Sequence, residues 1–485
     1  MSSSSPPYRD VDIAAVVAEV VRRLAAEQDP GGVSEVPAGV RDSAPGSDGV
    51  FPTVDGAVSA AGRAQPKLAA LSLEQRGVIV DIIKNYCVEN AEELARLEFQ
   101  ETRLGREDHK VQKLTIISRV LGVEALRTSV RVSDAGTEFI AAAPFGVIGM
   151  VTPATHSIPT MAGNAINVIA AGNTAVFSPH PAASRCLTYA LQQINRRIRA
   201  KTGLENLITV MAKPSIEAAG ELFKHPGVAL LTITGGPEVV KVAMRAGKRV
   251  IAAAPGNPPV VVDETADIPS AVKHIIFGAA FDNNLLCIGD KEVFVVEAVA
   301  DEFKAAMRRA GAVELDERQI ERLTQAAFVP DKNSGALHVN REFIGRSTTF
   351  LGRAAGVTVS GNVDLLFGET PENHIFVQEE QMMPFLPIVR VRDVDAAIAA
   401  ALRAEHGYRH SALIHTRNDE TARRMARILG TTLFIRNAPC TAALGVDGPG
   451  YLSYSIATAT GEGVTTPLTF TRQRQMVIGG RYDFF

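Results

Sequence analysis

One cysteine stands at a junction where its thiol could do chemistry. Cys287 lies in the short polar turn of HIIFGAAFDNNLLCIGDKEVFVVE, between an apolar segment that reaches Phe281 and a strand-like run that begins at Glu292. A thiolate presented by a loop can attack a carbonyl carbon, and Cys is the strongest common nucleophile near neutral pH. A small buried hydrophobe is the other interpretation, and the turn alone does not decide between them.

The other cysteines are weaker candidates. The four cysteines, at positions 87, 186, 287 and 440, form no CxxC pair. Cys87 and Cys186 fall within helical patterns and are expected in the core, whereas Cys440 is a loop residue and the only rival nucleophile. No His/Cys cluster has zinc spacing, and HExxH and the EF-hand loop are absent, so no metal site is predicted. Free thiols in a reducing, intracellular setting are expected.

Length and composition limit the class of protein to which the chain can belong. A chain of 485 residues is too long for one core, so two or three lobes are expected. The 46% apolar and 21% charged residues are typical of a globular protein, and a formal charge of −3 without a basic block excludes an electrostatic nucleic-acid surface. No apolar run is long enough to span a bilayer, and the N-terminus lacks the order of a secretory signal.

The N-terminal segment predicts a separate docking element. Residues 1–26 combine a low-complexity start with an amphipathic helix at 11–26, whose apolar stripe consists of Ile13, Val16, Val17, Val20, Val21 and Leu24. Residues 27–48 are rich in Gly, Pro, Ser and Asp, which predicts a flexible linker. The stripe either folds back on the body or enters a groove on another protein. A membrane-surface helix is disfavoured by its lack of aromatic residues and its few Lys and Arg.

The body of the chain predicts an α/β fold. Residues 55–105 have the pattern of successive amphipathic helices with charged outer faces. Apolar runs then alternate with helical patterns, as in FGVIGMVTP, SIPTMAGNAINVIAAG, NTAVFSPHP and ASRCLTYALQQINRRI. Consecutive apolar strands separated by helices indicate parallel βαβ units covered on both faces. Ligands of such sheets bind where strands end and helices begin.

Two strand ends predict a nucleotide cleft. Gly235 and Gly236 follow a buried strand and precede Pro237, so the backbone there can approach a ligand closely, although a plain tight turn is an equal alternative. Ser178-Pro179-His180 ends the strand NTAVF on the same expected edge. No P-loop and no GxGxxG follows a strand, so the phosphates of a nucleotide are expected to be bound in an unusual way.

These stretches together resemble a known family. FGVIGMVTP, AAGNTAVFSPHP, LTITGGPEVV, FDNNLLC, EEQMMPFLPIVRV and ATGEGVTTPLTFTR are similar, in order, to the aldehyde dehydrogenase superfamily, and more narrowly to its CoA-acylating branch, the propionaldehyde and acetaldehyde dehydrogenases of bacterial microcompartments. The similarity covers about residues 50–480. It implies NAD and coenzyme A as cofactors, a Rossmann-type parallel-sheet cofactor domain, an α/β catalytic domain and a small β oligomerisation extension.

The resemblance also implies a domain plan. The expected segments are an encapsulation helix within 1–26, a linker at 27–48, a dinucleotide/CoA domain at 49–255 with an oligomerisation strand near 132–143, a catalytic domain at 256–435, and a tail at 436–485. A homodimer or homotetramer is expected. The helix at 11–26 would bind a shell protein or a co-encapsulated enzyme, which places the chain in a cytoplasmic bacterial microcompartment.

Cys287 stands at the position of the family's catalytic thiol. By resemblance, its thiolate adds to an aldehyde, hydride passes to NAD, and CoA takes the acyl group from the resulting thioester. Acid-forming relatives carry a glutamate base at the position of Ala253, so its absence predicts CoA rather than water as acceptor. Glu380 matches the carboxylate that holds the nicotinamide ribose, although Glu379 blurs the register and a solvated surface Glu is the alternative.

One loop departs from the family pattern. The acylating branch usually has Thr-Pro-(Ser/Thr)-Thr-Asn-Pro where this chain has TPATHS, which begins with the expected cofactor contacts Thr152 and Pro153. The family's amide donor to the oxyanion lies in this loop. Thr155, His156 or a reshaped pocket are the open alternatives, beside the backbone N–H of Cys287.

Two other functions remain to be tested against this one. An NAD(P)-dependent aldehyde dehydrogenase that releases free carboxylic acid would share the fold and the thiol. A non-catalytic shell adaptor would keep only the docking helix. Propanal is the expected substrate of the acylating reaction, while chain length and NAD against NADP are not fixed by the residues.

Overall fold

The computed structural model describes residues 48–331 and 335–480. The predicted helix at 11–26 and nearly all of the predicted linker therefore lie outside the described residues. Asp48, the last residue assigned to the linker, is held by the folded body, because its carboxylate pairs with Arg196 at 2.6 Å and with Arg199 at 2.9 Å.

The described strands, in chain order, are β1 Val50–Phe51, β2 Ser129–Ser133, β3 Gly136–Pro144, β4 Val147–Thr152, β5 Thr174–Pro179, β6 Ile208–Met211, β7 Val228–Thr234, β8 Arg249–Ala253, β9 Pro259–Val262, β10 Glu292–Val296, β11 Val313–Glu314, β12 Phe328–Pro330, β13 Leu337–Val339, β14 Leu366–Glu369, β15 Phe385–Val391, β16 Ser411–His415, β17 Leu433–Arg436, β18 Ile456–Ala457, β19 Gly463–Val464 and β20 Thr471–Gly479.

The described α-helices are α1 Val54–Ala69, α2 Leu73–Glu89, α3 Ala91–Thr102, α4 Glu107–Thr115, α5 Ser157–Ala170, α6 Ser184–Thr202, α7 Ile216–Lys224, α8 Pro237–Met244, α9 Ile268–Ala280, α10 Glu297–Arg309, α11 Glu317–Ala327, α12 Thr348–Ala355, α13 Ile375–Gln378, α14 Val394–Ala404 and α15 Asp419–Leu429. Most begin at a side-chain cap, such as Ser72 before α2, whose hydroxyl accepts from Gln75 N at 3.2 Å.

The first half of the described chain forms a parallel sheet in the order β1-β6-β5-β4-β7-β8. Its strands are almost wholly buried, as expected of apolar runs covered by helices on both faces. The chain adds β5 and β6 on one side of β4 and β7 and β8 on the other. This reversal is the switch point at which doubly wound sheets bind ligands.

The second half forms a parallel sheet in the order β11-β14-β15-β10-β9-β16-β17. Helix α9 and the Cys287 turn lead into β10, the strand between β15 and β9. The mixed α/β architecture with Rossmann-type parallel sheets is the fold class that the sequence predicts, and it is confirmed.

A third, antiparallel sheet joins β2, β3 and β20. The predicted strand near 132–143 is thus a hairpin, completed by a strand from the tail. The sheet carries exposed apolar side chains, including Val132 at 76% and Val477 at 72% exposure. Among the described helices none is both long and apolar enough to cross a bilayer.

One charged residue of the early helices is an exception to the predicted pattern. Glu98 belongs to the segment predicted to have charged outer faces, yet its side chain is buried beside Leu94 and Ala95 on the inner face of α3. A buried carboxylate requires partners, and Glu98 finds them in Lys110 at 3.2 Å and the backbone N–H of Ile158 at 3.2 Å.

Candidate active site

The predicted cofactor residues meet at one edge of the first sheet. Thr152 ends β4 and pairs in register with Pro179 at the end of β5, while Thr234 ends β7 on the other side of β4. Parallel strands present their carboxyl ends to the same edge, so Pro153 after β4, Ser178 near the end of β5 and Gly235 after β7 lie at the ends of adjacent strands. The structure brings these loops together at the switch point.

This edge has features that suit a dinucleotide. Thr152 Oγ1 is buried and has no hydrogen-bond partner among the described residues. Gly236 caps α8 ahead of Pro237, and a Cβ added there would meet nothing within 4 Å, so space for a ligand adjoins the helix N-terminus. The residues present therefore fit a nucleotide cofactor.

His180 is turned toward its own loop. Its backbone N–H donates to Thr152 O at 3.1 Å, and its Nδ1 accepts from the Ala182 N–H at 3.2 Å. The backbone bond joins the end of β5 to the end of β4. The imidazole bond holds the loop that follows β5.

Cys287 follows a segment of unusual backbone. Asp282, Asn283 and Asn284 adopt left-handed conformations with φ of 51°, 55° and 65°, and all three side chains are buried. Such conformations persist only where the surroundings hold them. Asn283 Nδ2 donates to Gly345 O at 2.8 Å, and Asn284 Nδ2 donates to the carbonyls at both ends of the turn, Ala279 and Asp290, each at 2.9 Å.

Asp282 anchors the thiol turn in a buried charge network. Its Oδ2 pairs with Lys113 Nζ at 2.5 Å, and its Oδ1 accepts from the Arg106 backbone N–H at 2.8 Å. Both Lys110 and Lys113 donate to the Thr155 carbonyl at 3.3 Å. With Glu98 the network has two cations and two anions, and it joins the Thr155 loop to the Cys287 turn.

The two oxyanion candidates face different surroundings. The Thr155 carbonyl points to the two lysines of the network. His156 is buried, its Nδ1 has no hydrogen-bond partner within residues 48–331 and 335–480, and its ring lies 5.6 Å from the ring of Tyr454. Burial, with the nearby charges of Lys113 and Lys110, holds the pKa of His156 well below its usual range. The imidazole is therefore neutral and can donate from one ring nitrogen.

Cys287 is a partly exposed residue, in contrast to the other three cysteines, which are buried. Desolvation and the nearby Glu380 carboxylate raise the pKa of Cys287 to about 12, opposed by Lys291 and by the backbone N–H groups of Cys287 and Ile288. Cys440, the rival nucleophile, is fully buried, and burial raises its pKa well above the usual range. Cys87 and Cys186 lie in the core as predicted.

The structure resolves the register at Glu379 and Glu380. Glu379 is exposed, whereas Glu380 lies near Lys291 and Cys287 and accepts from the Gly256 N–H. Burial raises the pKa of Glu380 to about 7, opposed by Lys291. Glu380 is thus the carboxyl group that faces the thiol.

The position of the missing base is apolar. Ala253 ends β8 and pairs with Thr234, the last residue of β7, so its methyl group lies at the same edge as the cofactor loops. The chain then passes through Gly256, whose Cα touches the ring of His410 so closely that a Cβ would meet Cγ at 2.6 Å.

A small apolar cavity adjoins the thiol turn. It measures about 40 Å³, and its lining includes Phe277, Phe281, Leu286, Leu444 and Tyr454. Leu286, which directly precedes Cys287, is the lining residue nearest to the thiol in the sequence.

Sequence reasoning missed several residues of this site. Lys291 lies near Cys287, and His410 lies near Lys291. Burial followed by the charge of Lys291 lowers the pKa of His410 to about 4. The signal for Lys291 was available, because a charged triplet, Asp290-Lys291-Glu292, enters a strand that is otherwise apolar. No local pattern pointed to the network around Asp282.

Comparisons with known proteins agree with this geometry. The sequence model of the aldehyde dehydrogenase family matches residues 47–449. The acetylating acetaldehyde dehydrogenase EutE of Salmonella typhimurium is 44% identical over 89% of this chain and 92% of its own length. The CoA-propanoylating propanal dehydrogenase of Citrobacter freundii is 37% identical over 89% of this chain and 93% of its own.

A solved structure extends the likeness to three dimensions. Propionaldehyde dehydrogenase of Rhodopseudomonas palustris, with CoA bound and a cysteine acylated, matches with a TM-score of 0.86 and 37% identity, over 90% of this chain and 99% of that one. The chain belongs to the aldehyde dehydrogenase family. Its relatives include the CoA-acylating enzymes, so the resemblance stated from the motifs is confirmed.

Proposed function

We propose that the protein oxidises a short-chain aldehyde with NAD and transfers the acyl group to coenzyme A, with Cys287 as the nucleophile. The observation that carries this proposal is Ala253, whose methyl group ends β8 at the edge where acid-forming relatives place a glutamate base. The names of the relatives, an acetylating acetaldehyde dehydrogenase and a CoA-propanoylating propanal dehydrogenase, support the same reaction.

The proposed chemistry begins at the thiol. The Cys287 thiolate adds to the aldehyde carbon, forming the C–S bond and an alkoxide. The backbone N–H of Cys287 is one donor to that oxygen, and the neutral imidazole of His156 is proposed as the side-chain donor, because its buried Nδ1 has no hydrogen-bond partner among the described residues. Bound NAD supplies the acceptor for the aldehyde hydrogen, which leaves with two electrons and restores the carbonyl as a thioester.

Transfer to CoA completes the cycle. The CoA thiol loses its proton to solvent and attacks the thioester carbon, the C–S bond to Cys287 breaks, and acyl-CoA leaves while the Cys287 thiolate is regenerated. General-base assistance is worth about 10²- to 10⁴-fold, so a site without a carboxylate at position 253 gives water no such help. The bound CoA thiol is therefore expected to take the acyl group faster than water does.

Cofactor binding is proposed at the edge of the first sheet. Thr152 and Pro153 after β4, Ser178 to His180 after β5, and Gly235 and Gly236 after β7 would contact the dinucleotide, and the groove would then admit CoA in turn. Glu380 would accept hydrogen bonds from the ribose next to the reacting ring. We also propose the domain bounds that the sequence predicts, a cofactor domain at 49–255 and a catalytic domain at 256–435. The strands of the two parallel sheets, which fall within β1 to β8 and within β9 to β17, support this division.

Assembly and location are further parts of the proposal. The exposed apolar sheet of β2, β3 and β20 supports a homodimer or homotetramer. Solved relatives come from a bacterial microcompartment, including the propionaldehyde dehydrogenase of the Clostridium phytofermentans fucose utilisation compartment. With the amphipathic pattern at 11–26, this supports a microcompartment enzyme docked through its N-terminal helix.

An assay of NADH formation with C2 to C5 aldehydes, with and without CoA, tests the reaction. We expect NADH and acyl-CoA to form together, with propanal as the preferred substrate and acetaldehyde as the nearest competitor. Cys287→Ala should abolish the product, and the buried Cys440→Ala should retain it. Free acid released at an equal rate without CoA would favour the acid-forming alternative, and acyl-CoA made by Cys287→Ala would refute the proposal.

A further inference from the structure

Lys291 is buried beneath the thiol turn in a position that the reaction described so far does not use. Its side chain is fully enclosed, and its Nζ donates to Asn284 O at 2.8 Å, to Asn284 Oδ1, and to Leu286 O at 3.2 Å. Asn284 and Lys291 lie on either side of Cys287 in the chain, so these bonds hold the two ends of the thiol turn together. Cys287 is the partly exposed residue between them.

The hydrogen-bond pattern identifies the charge state of Lys291. A lysine ammonium has three N–H donors, and three oxygen acceptors surround this nitrogen. A neutral amine would have two donors and a lone pair directed at an oxygen. The arrangement is fully satisfied only when Lys291 is protonated, even though burial lowers its pKa.

The two acids that flank Lys291 in the sequence do not neutralise this cation. Asp290 and Glu292 flank Lys291, and their buried carboxyl oxygens have no hydrogen-bond partner among the described residues. Burial raises the pKa of both well above the usual range, so both are protonated. The ionisable groups that face Lys291 from other elements are Glu380, His410 and Cys440.

We propose that Lys291 is a positioning residue that activates Cys287, holding the turn through the Asn284 and Leu286 carbonyls and supplying the positive charge that stabilises the thiolate. The proposal rests on the assignment of Cys287 as nucleophile. The positive charge favours the thiolate, because the thiol proton leaves more readily to solvent when a fixed cation stabilises the anion left behind. Gln381 strengthens the arrangement by donating to Lys291 O at 3.0 Å, next to Glu380.

A purely structural lysine would behave differently. Loss of a clamp alone would loosen the turn and leave alkylation of Cys287 unchanged or faster, whereas loss of the charge would slow it. The rate of alkylation of Cys287 by iodoacetamide therefore distinguishes the two roles, because only loss of the charge lowers it. The alkylation rate depends on the sulfur of Cys287 and requires no turnover. Failure of acyl-CoA synthesis would therefore refute the proposed function without testing the proposed role of Lys291.

The experiment compares Lys291→Gln, Lys291→Met and Lys291→Arg with the full-length wild type across about pH 7 to 9. A rise of one unit in the pKa of the thiol lowers the thiolate fraction about tenfold below the pKa, so both uncharged variants should be alkylated about tenfold more slowly. Lys291→Arg should stay within about threefold of the wild type, because it keeps the charge.

A second buried lysine is the matched control. Lys113 holds the same turn through Asp282, so Lys113→Gln should lower the melting temperature without slowing alkylation of Cys287. Equal or faster alkylation in folded Lys291→Gln would overturn the proposal. If neither uncharged variant folds, NMR of wild-type protein labelled with ¹⁵N-lysine decides. An ammonium at Lys291 throughout that pH range supports the proposal, and a neutral amine contradicts it.

Discussion

By the resemblance, His156 occupies the position where the acylating branch usually has an asparagine, so it is one of the residues at which the TPATHS loop departs from the family pattern. The structure buries the imidazole and keeps it neutral, while the Thr155 carbonyl is turned to Lys110 and Lys113. A neutral imidazole N–H and an amide N–H both donate one uncharged hydrogen bond. The substitution can therefore preserve the donor while changing the shape around it.

Variants of His156 test this interpretation. His156→Ala removes the donor, and loss of an oxyanion donor typically costs about 10²- to 10³-fold in kcat, so we expect a decrease of that size with little change in KM. His156→Asn restores the family's amide and should retain most activity. Because the pKa of His156 lies well below its usual range, kcat should show no step from its ionisation near neutral pH. A larger loss in Thr155→Val than in His156→Ala would assign the donor to Thr155.

At the scale of elements, the thiol turn depends on contacts from α3, α4 and the loop before α5. The left-handed residues 282–284 place strain next to the nucleophile, and Asp282 secures them by pairing with Lys113. Removing one partner of a buried ion pair leaves the other charge without compensation. The turn and the Thr155 loop should therefore lose stability together.

Asp282→Asn measures this coupling. The change preserves the shape of the side chain and strands the Lys113 ammonium, which typically destabilises a protein by about 3–5 kcal/mol. Thermal and urea unfolding should show a decrease of that size, with reduced activity at temperatures where the variant remains folded. Asp108→Asn is the control, because Asp108 forms an exposed pair with Arg106 and exposed pairs contribute about 0–1 kcal/mol. Equal effects of the two changes would show that the network does not hold the turn.

The contrast between local and distant contacts explains what the sequence could predict. The strands and helices around β4 to β8 follow from short apolar runs and helical periodicity, and Cys287 was placed in its turn by the same signals. The network of Glu98, Lys110, Lys113 and Asp282 joins residues far apart in the chain, and periodicity does not encode such contacts. The register of Glu380 likewise required the fold, because only packing distinguishes it from Glu379.

At the scale of the whole molecule, the N-terminal segment is proposed to act apart from the catalytic body. Asp48 pairs with two arginines of α6, so a clean truncation must keep it. Deleting residues 1–43 should leave acyl-CoA synthesis intact and abolish co-purification with co-expressed shell proteins. A longer deletion through residue 51 removes these ion pairs and the pairing of β1 with β6, and should lower the melting temperature. Lost activity after the shorter deletion would show that the segment belongs to the catalytic fold.

The central claim is that Cys287 holds the acyl group until CoA collects it. Mass spectrometry of the enzyme incubated with propanal and NAD, without CoA, measures this most directly. We predict a propionyl adduct of one per chain on the peptide that contains Cys287, and its loss, with matching propionyl-CoA, when CoA is added. An unmodified peptide together with steady release of free propionate would contradict the account.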